Sequence, residues 1–168
     1  LPIGVQTFKD KILNSKVIDE IAAFIREKSE AETCQLIYQF PYFLTKTSPV
    51  SGLDGLIYYN IKFDLTNTKE KTKFFITVSS MGTSLCPCSK EISENQGAHN
   101  QRSTINITTE IIENNFVWIE DIIEIIESCY SCEIYSVLKR PDEKHVTMAA
   151  YNNPKFVEDI SRELIFKL

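Results

Sequence analysis

The sequence predicts an α+β domain, an antiparallel sheet with helices on one face. Two observations lead there. Four segments alternate apolar and polar residues with the period of two that a half-buried strand requires. The stretches before and after them carry apolar stripes at helical spacing. In chain order the elements run α-α-β-β-β-β-α-α.

Phe8, Ile12 and Leu13 predict a short helix, which Asn14-Ser15 breaks while capping a second. In that second helix Ile18, Ile21, Ala22 and Ile25 recur on one face, with Glu20 and Arg26 outward. The period then changes to two. Cys34, Leu36, Tyr38 and Phe40 alternate with Gln35, Ile37 and Gln39 until Pro41 ends the pattern. Tyr59, Ile61, Phe63 and Leu65 alternate with Tyr58, Asn60, Lys62 and Asp64. A polar turn, Thr66 to Lys71, leads into a third strand with Phe74, Ile76 and Val78 on one face. A fourth strand alternates Ile105, Ile107 and Ile111 with Thr104, Asn106, Thr108 and Glu110. Ile119, Ile122, Ile123 and Ile126 then form a helical stripe against Glu120, Asp121, Glu124 and Glu127. The last helix is expected to open with Asn153 as cap and Pro154 at its first position, burying Val157, Ile160 and Leu164. Between the third and fourth strands, Gly82 to Ser103 reads as irregular, and a structureless stretch of that length is more often functional than accidental.

Composition narrows the classes. The 168 residues fit one domain or two small ones, and 43% hydrophobic with 24% charged residues excludes a disordered or collagenous chain. No apolar run approaches the roughly 20 residues of a membrane span. Leu1 to Asp10 lacks the basic start and apolar stretch of a signal peptide, and the first residue is Leu rather than Met, as in a fragment or processed piece. Eighteen basic against 23 acidic residues, net charge -5, argue against a duplex nucleic-acid binder but allow a small anionic substrate on a local basic cluster. Five cysteines, an odd number, favour a reducing cytoplasm and leave thiols available for metal binding or catalysis.

The irregular segment holds Cys86-Pro87-Cys88, Lys90, His99 and Arg102. Thiolate and imidazole are preferred zinc ligands, and Pro87 can turn the two sulfurs apart, one to a metal and one to substrate, with Lys90 nearby to favour a thiolate. Two small buried thiols and a hydrogen-bonded loop histidine account for the same spacing. Cys129 and Cys132 form a second Cys-x-x-Cys, so a four-cysteine zinc site with Cys86 and Cys88 is a rival reading, although Cys129 also continues the apolar stripe of Ile119, Ile122 and Ile126. Lys139 to Lys144 is a charged turn. It is either a solvated loop or a Glu143 carboxylate ligand with Lys139, Arg140 or Lys144 facing phosphates. Glu158 on the last helix reads by itself as a solvated surface residue.

Four blocks then stand together: Leu85-Cys-Pro-Cys-Ser-Lys-Glu-Ile-Ser93, Gly97-Ala-His-Asn-Gln-Arg-Ser103, Leu138-Lys-Arg-Pro-Asp-Glu-Lys144 and Asn153-Pro-Lys-Phe-Val-Glu-Asp159. In order and spacing the chain resembles type IB GTP cyclohydrolase, a prokaryotic enzyme converting GTP to 7,8-dihydroneopterin triphosphate and formate. Phe40-Pro-Tyr-Phe43 and Ser48-Pro-Val-Ser-Gly52 are looser matches. The resemblance implies the tunnelling fold, tandem β-β-α-α-β-β modules. Residues 1–66 would be the second half of the first module and 67–168 the first part of the second, lacking outer strands at both ends. It also implies a late histidine, whereas this chain has none after His145.

Residue by residue, the resemblance makes Cys86, His99 and Glu143 ligands of a divalent metal (zinc, manganese or iron), Cys88 the essential cysteine and Glu158 the guanine anchor. The metal would activate a water for attack on C8 of guanine, with His99 or Cys88 as proton carrier. Lys90, Arg102, Lys139 and Arg140 are the basic residues expected to meet substrate. The implied assembly is a cytoplasmic homotetramer with sites between subunits, acting on GTP and touching neither nucleic acid nor membrane. Its product would feed folate or a deazaguanine tRNA base. Two other readings remain: an NADPH-dependent nitrile reductase of the same fold, which uses no metal, and a non-enzymatic zinc-stabilised module held by Cys129 and Cys132.

Overall fold

The computed structural model describes residues 14–112 and 117–168, so the helix expected around Phe8, Ile12 and Leu13 lies outside the described residues. Asn14 caps the first helix, α1 (Ser15–Lys28), its Oδ1 accepting from Val17 N at 3.0 Å. Ile18, Ala22 and Arg26, four residues apart, form the buried row. The expected roles of Ile25 and Arg26 are therefore exchanged. Ile25 is 41% exposed and Arg26 only 9%, because Arg26 Nε finds Asn67 Oδ1 at 2.8 Å and so enters the apolar row with a partner.

Four long strands, β1 (Thr33–Thr47), β2 (Asp54–Thr68), β3 (Thr72–Leu85) and β4 (Asn100–Glu110), stand in that order in the sheet, and β5 (Cys132–Glu133) also pairs with β3. The links 48–53 and 69–71 are too short for a parallel crossover. Between β3 and β4, Phe74 O meets Ile111 N, Thr77 meets Thr108 and Ser79 meets Asn106. Numbers rise on one strand as they fall on the other, the mark of an antiparallel pair. β1 does not stop at Pro41 but runs on to Thr47. It is the edge strand, where a residue without an N–H is tolerated.

The expected alternation is present, with Tyr59, Ile61, Leu65, Phe74, Ile76, Val78 and Ile107 buried. Phe63 stacks edge-on with Phe40 and Phe74, centroids 5.1 and 5.3 Å away. The segment expected to be irregular is mostly ordered. β3 continues through Leu85, α2 (Pro87–Ile92) follows, and β4 begins at Asn100.

Three more helices complete the chain: α3 (Ile119–Cys129), α4 (Arg140–Asn152) and α5 (Val157–Lys167). Ile122, Ile123, Ile126 and Cys129 are the buried side of α3. Glu127 is not outward as its spacing predicts. It accepts from Lys46 Nζ and from the Tyr59 hydroxyl, each at 2.7 Å, and Lys46 also reaches Glu133 at 2.6 Å. α4 replaces the expected charged turn: Pro141 is its second residue, in the first turn where a missing N–H costs nothing, and Asp142 Oδ2 accepts from Lys139 N at 2.8 Å. Asn153 caps the C-terminus of α4 rather than opening α5, and Val157, expected in the core, is 68% exposed.

Two compact units emerge. One holds the described residues 14–40 with 61–77, 107–112 and 117; the other holds 41–60, 78–106 and 118–168. Within the first, α1 meets β2 through Asn67; within the second, α3 meets β2 through Tyr59. No helix among the described residues is long and apolar enough to cross a membrane.

Candidate active site

At the end of β3 the chain turns directly into α2, and Cys86 is the turn. Its backbone is extended, and its sulfur accepts from Ser89 N at 3.4 Å as the helix cap. Pro87 follows at the first helical position, and Cys88, one residue on, is exposed. Cys86 N donates to His99 O at 3.1 Å, and His99 N donates to Ser89 Oγ at 2.9 Å. Cys86 and His99, distant in sequence, are thus main-chain neighbours.

A second seam brings the last block to the same end of β3. Lys155 N donates to Leu85 O at 3.1 Å, while Leu85 N donates to Ser131 Oγ at 3.0 Å. Asn153 Nδ2 donates to Tyr130 O at 3.1 Å and Ser131 O at 3.2 Å, and Lys155 Nζ to Cys129 O at 3.1 Å. The first turn of α5, which carries Glu158, therefore starts beside the residue that precedes Cys86. Tyr130 and Ser131, merely the middle of a Cys-x-x-Cys in the sequence, make the seam. Tyr130 lies against Gly82, where any Cβ would run into its ring. Its hydroxyl donates to Ser80 O at 2.8 Å and accepts from Ile105 N at 2.9 Å, and burial pushes its pKa up to about 12. Only the glycine in β3 could have signalled this close approach.

The remaining candidates separate by occupation. Cys88, His99, Arg102 and Glu158 are exposed, and their side chains have no hydrogen bond or ion pair with other described residues. Lys139 and Arg140 are also exposed, at the start of α4, and Arg140 reaches Glu143 at 3.7 Å. Lys90 is occupied: its ammonium donates to Tyr151 O at 2.7 Å. Cys129 is fully buried, its thiol pushed up by desolvation, and Cys132 is half-buried and raised for the same reason. Both behave as packing thiols.

Cys86, His99 and Glu143, the ligands that the resemblance implies, do not stand as one cluster among the described residues. Among the described residues no three His, Cys, Asp or Glu stand close enough to hold an ion, which covers both the Cys86, His99 and Glu143 set and the four-cysteine rival. Tyr151, the residue facing α2, lies eight residues past Glu143, about 12 Å along the helix at roughly 1.5 Å per residue.

Main-chain bonds in this antiparallel α+β chain thus bring the segments that carry Cys88, His99 and Glu158 to one end of β3. Comparison with known proteins identifies the group. The family described as type I GTP cyclohydrolase folE2 matches residues 4–168, and the chain belongs to that family. It is 46% identical over 155 residues to the GTP cyclohydrolase FolE2 of Nitrosospira multiformis, covering 92% of this chain and 58% of that one. A second such protein, GTP cyclohydrolase FolE2 2 of Dechloromonas aromatica, is 49% identical over 143 residues, 84% of this chain and 51% of the relative. That of Halorhodospira halophila is 42% identical over 161 residues, 95% and 60% of the two chains. The chain thus spans somewhat more than half the length of these relatives.

Proposed function

We propose that the protein to which this chain belongs is a GTP cyclohydrolase of type IB, converting GTP and water to 7,8-dihydroneopterin triphosphate and formate. Family membership supports the activity, and the four motif blocks support the subtype. The observation that carries the reading is the double seam at Leu85–Cys86. It joins the Cys-Pro-Cys block to His99 on one side and to the Asn153–Asp159 block on the other. Cys88, His99 and Glu158 lie exposed, without a hydrogen-bond or ion-pair partner among the described residues, on the segments that this seam joins.

In this reading Glu158 accepts from the guanine N1–H and 2-amino group. Adenine presents the wrong pattern there and leaves the carboxylate unpaired, which is costly. Water adds at C8, the imidazole ring opens, and C8 leaves as formate while Cys88 and His99 move protons. The ribose then rearranges and closes the pterin ring. Arg102, Lys139 and Arg140, all exposed, face the triphosphate. Cys86, His99 and Glu143 are the proposed donors for a divalent ion (zinc, manganese or iron), Cys86 and His99 being main-chain neighbours. Residues 1–66 and 67–168 belong to successive tunnelling-fold modules. A homotetramer would cover the sheet face opposite the helices, where Phe43, Leu56, Tyr58 and Met81 are 58, 67, 51 and 36% exposed. The product feeds folate or deazaguanine base synthesis. The test is Cys88→Ala in the full-length protein: dihydroneopterin formation is lost while fold and metal content are kept. Unchanged turnover would remove Cys88 from the chemistry.

A further inference from the structure

We propose that Lys90 is a positioning residue, not a triphosphate contact: it clasps Tyr151 and so fixes the thiol-bearing α2 against the end of α4. The functional consequence rests on the proposed activity; the clasp itself rests on geometry. Lys90 Nζ donates to Tyr151 O at 2.7 Å and stands 4.0 Å from the centre of the Tyr151 ring, a cation–π distance. The hydroxyl of the same tyrosine donates to Asn95 O at 2.5 Å. Carbonyl, ring and hydroxyl of one residue thus engage both ends of the Lys90–Asn95 segment. That segment is already closed on itself, with Asn95 N donating to Lys90 O at 3.1 Å. Asn95 has a φ of 62°, a left-handed conformation asparagine tolerates better than most residues.

The clasp matters because α2 has little else to hold it. It is 6 residues long with none buried, too short to persist on its own hydrogen bonds and without a core face to anchor it. Apart from those to His99, every hydrogen bond from residues 86–98 to another part of the described chain ends on Tyr151. Cys88 rides on that helix, two residues from Lys90. Loss of the clasp lets α2 shift and moves the Cys88 sulfur relative to substrate. A displacement near 1 Å costs on the order of a hundredfold in rate.

The two roles of Lys90 differ in their kinetic signature. A residue that places Cys88 lowers kcat and leaves KM for GTP alone, whereas one that binds the triphosphate in the ground state raises KM. The experiment uses the full-length protein with Lys90→Met, Tyr151→Leu and the double variant. Each single change is expected to lower kcat on the order of ten- to a hundredfold with KM within about twofold, and the double variant to fall by clearly less than the product of the two single losses. Tyr151→Phe, which keeps the ring and loses only the hydroxyl, should lie between these and wild type. Amide hydrogen exchange over residues 87–97 should quicken in all of them and stay unchanged elsewhere, a readout that needs no turnover. If GTP is not consumed at all, the proposed activity fails while exchange still decides the clasp. A rise in KM confined to Lys90→Met, additive losses in the double variant, or unaltered exchange would overturn the proposal.

Discussion

Lys90 and Glu158 are both charged residues in matched blocks, and their environments assign them different work. The lysine is half-buried and satisfied by Tyr151; the glutamate is exposed in the first turn of α5 with no partner among the described residues. A solvated helix glutamate contributes little to stability, and substitutions at such places usually change it by no more than about 0.5 kcal/mol. Glu158→Gln should therefore leave the melting temperature unchanged. As guanine anchor it offers a charged acceptor to two donors, each charge-assisted bond being worth roughly 1.5–3 kcal/mol. Loss of even one should lower kcat/KM for GTP on the order of ten- to a hundredfold. Near wild-type turnover in Glu158→Gln would return the residue to the surface. The four blocks made all these residues legible from the sequence. What they could not convey was occupation, because whether a lysine faces solvent or a tyrosine carbonyl is set by a contact 61 positions away.

Among the elements, the strands and α3 are legible because their apolar periods are strong. α4 is not. Its opening, Lys139-Arg140-Pro141-Asp142-Glu143, has the composition of a solvated turn, and of its residues only Asp142 and Ala150 are buried. The helix is instead organised by one carboxylate. Asp142 Oδ1 accepts from Val50 N and Ser51 N, and Oδ2 from Lys139 N, all at 2.8 Å, tying the β1–β2 turn to the start of α4. Burial pushes this carboxyl up, but the bonds from Ser51, Lys139 and Val50 outweigh it and hold it well below the usual carboxylate range. A depressed folded pKa gives stability that is complete above the unfolded value, near 3.9, and is lost as pH falls below it. Asp142→Asn should thus lower the melting temperature at neutral pH and flatten its decline below about pH 4. Thermal melts of the two proteins across that range check it, and parallel curves would mean that Asp142 carries no such linkage. Gly82 offers a test at strand β3. Gly82→Ala drives a methyl into the Tyr130 ring and should cost about 1–3 kcal/mol, seen in denaturant unfolding.

On the scale of the molecule, the sheet leaves one face with Phe43, Leu56, Tyr58 and Met81 exposed, and the described residues assemble no three-ligand metal set. The relatives that this chain matches are longer than it. The antiparallel α+β architecture was legible because consecutive alternating segments joined by short links leave few other arrangements. The converging blocks were not, because the seam through Leu85, Ser131 and Lys155 consists of main-chain bonds with no sequence signature. In the proposed reaction these exposed groups open the guanine ring of GTP. The most direct measurement is incubation of the full-length protein with GTP, following pterin fluorescence and formate together. Both products are expected from GTP and neither from ATP, with both lost in Cys88→Ala. A full-length, folded protein that releases neither product from GTP would contradict it.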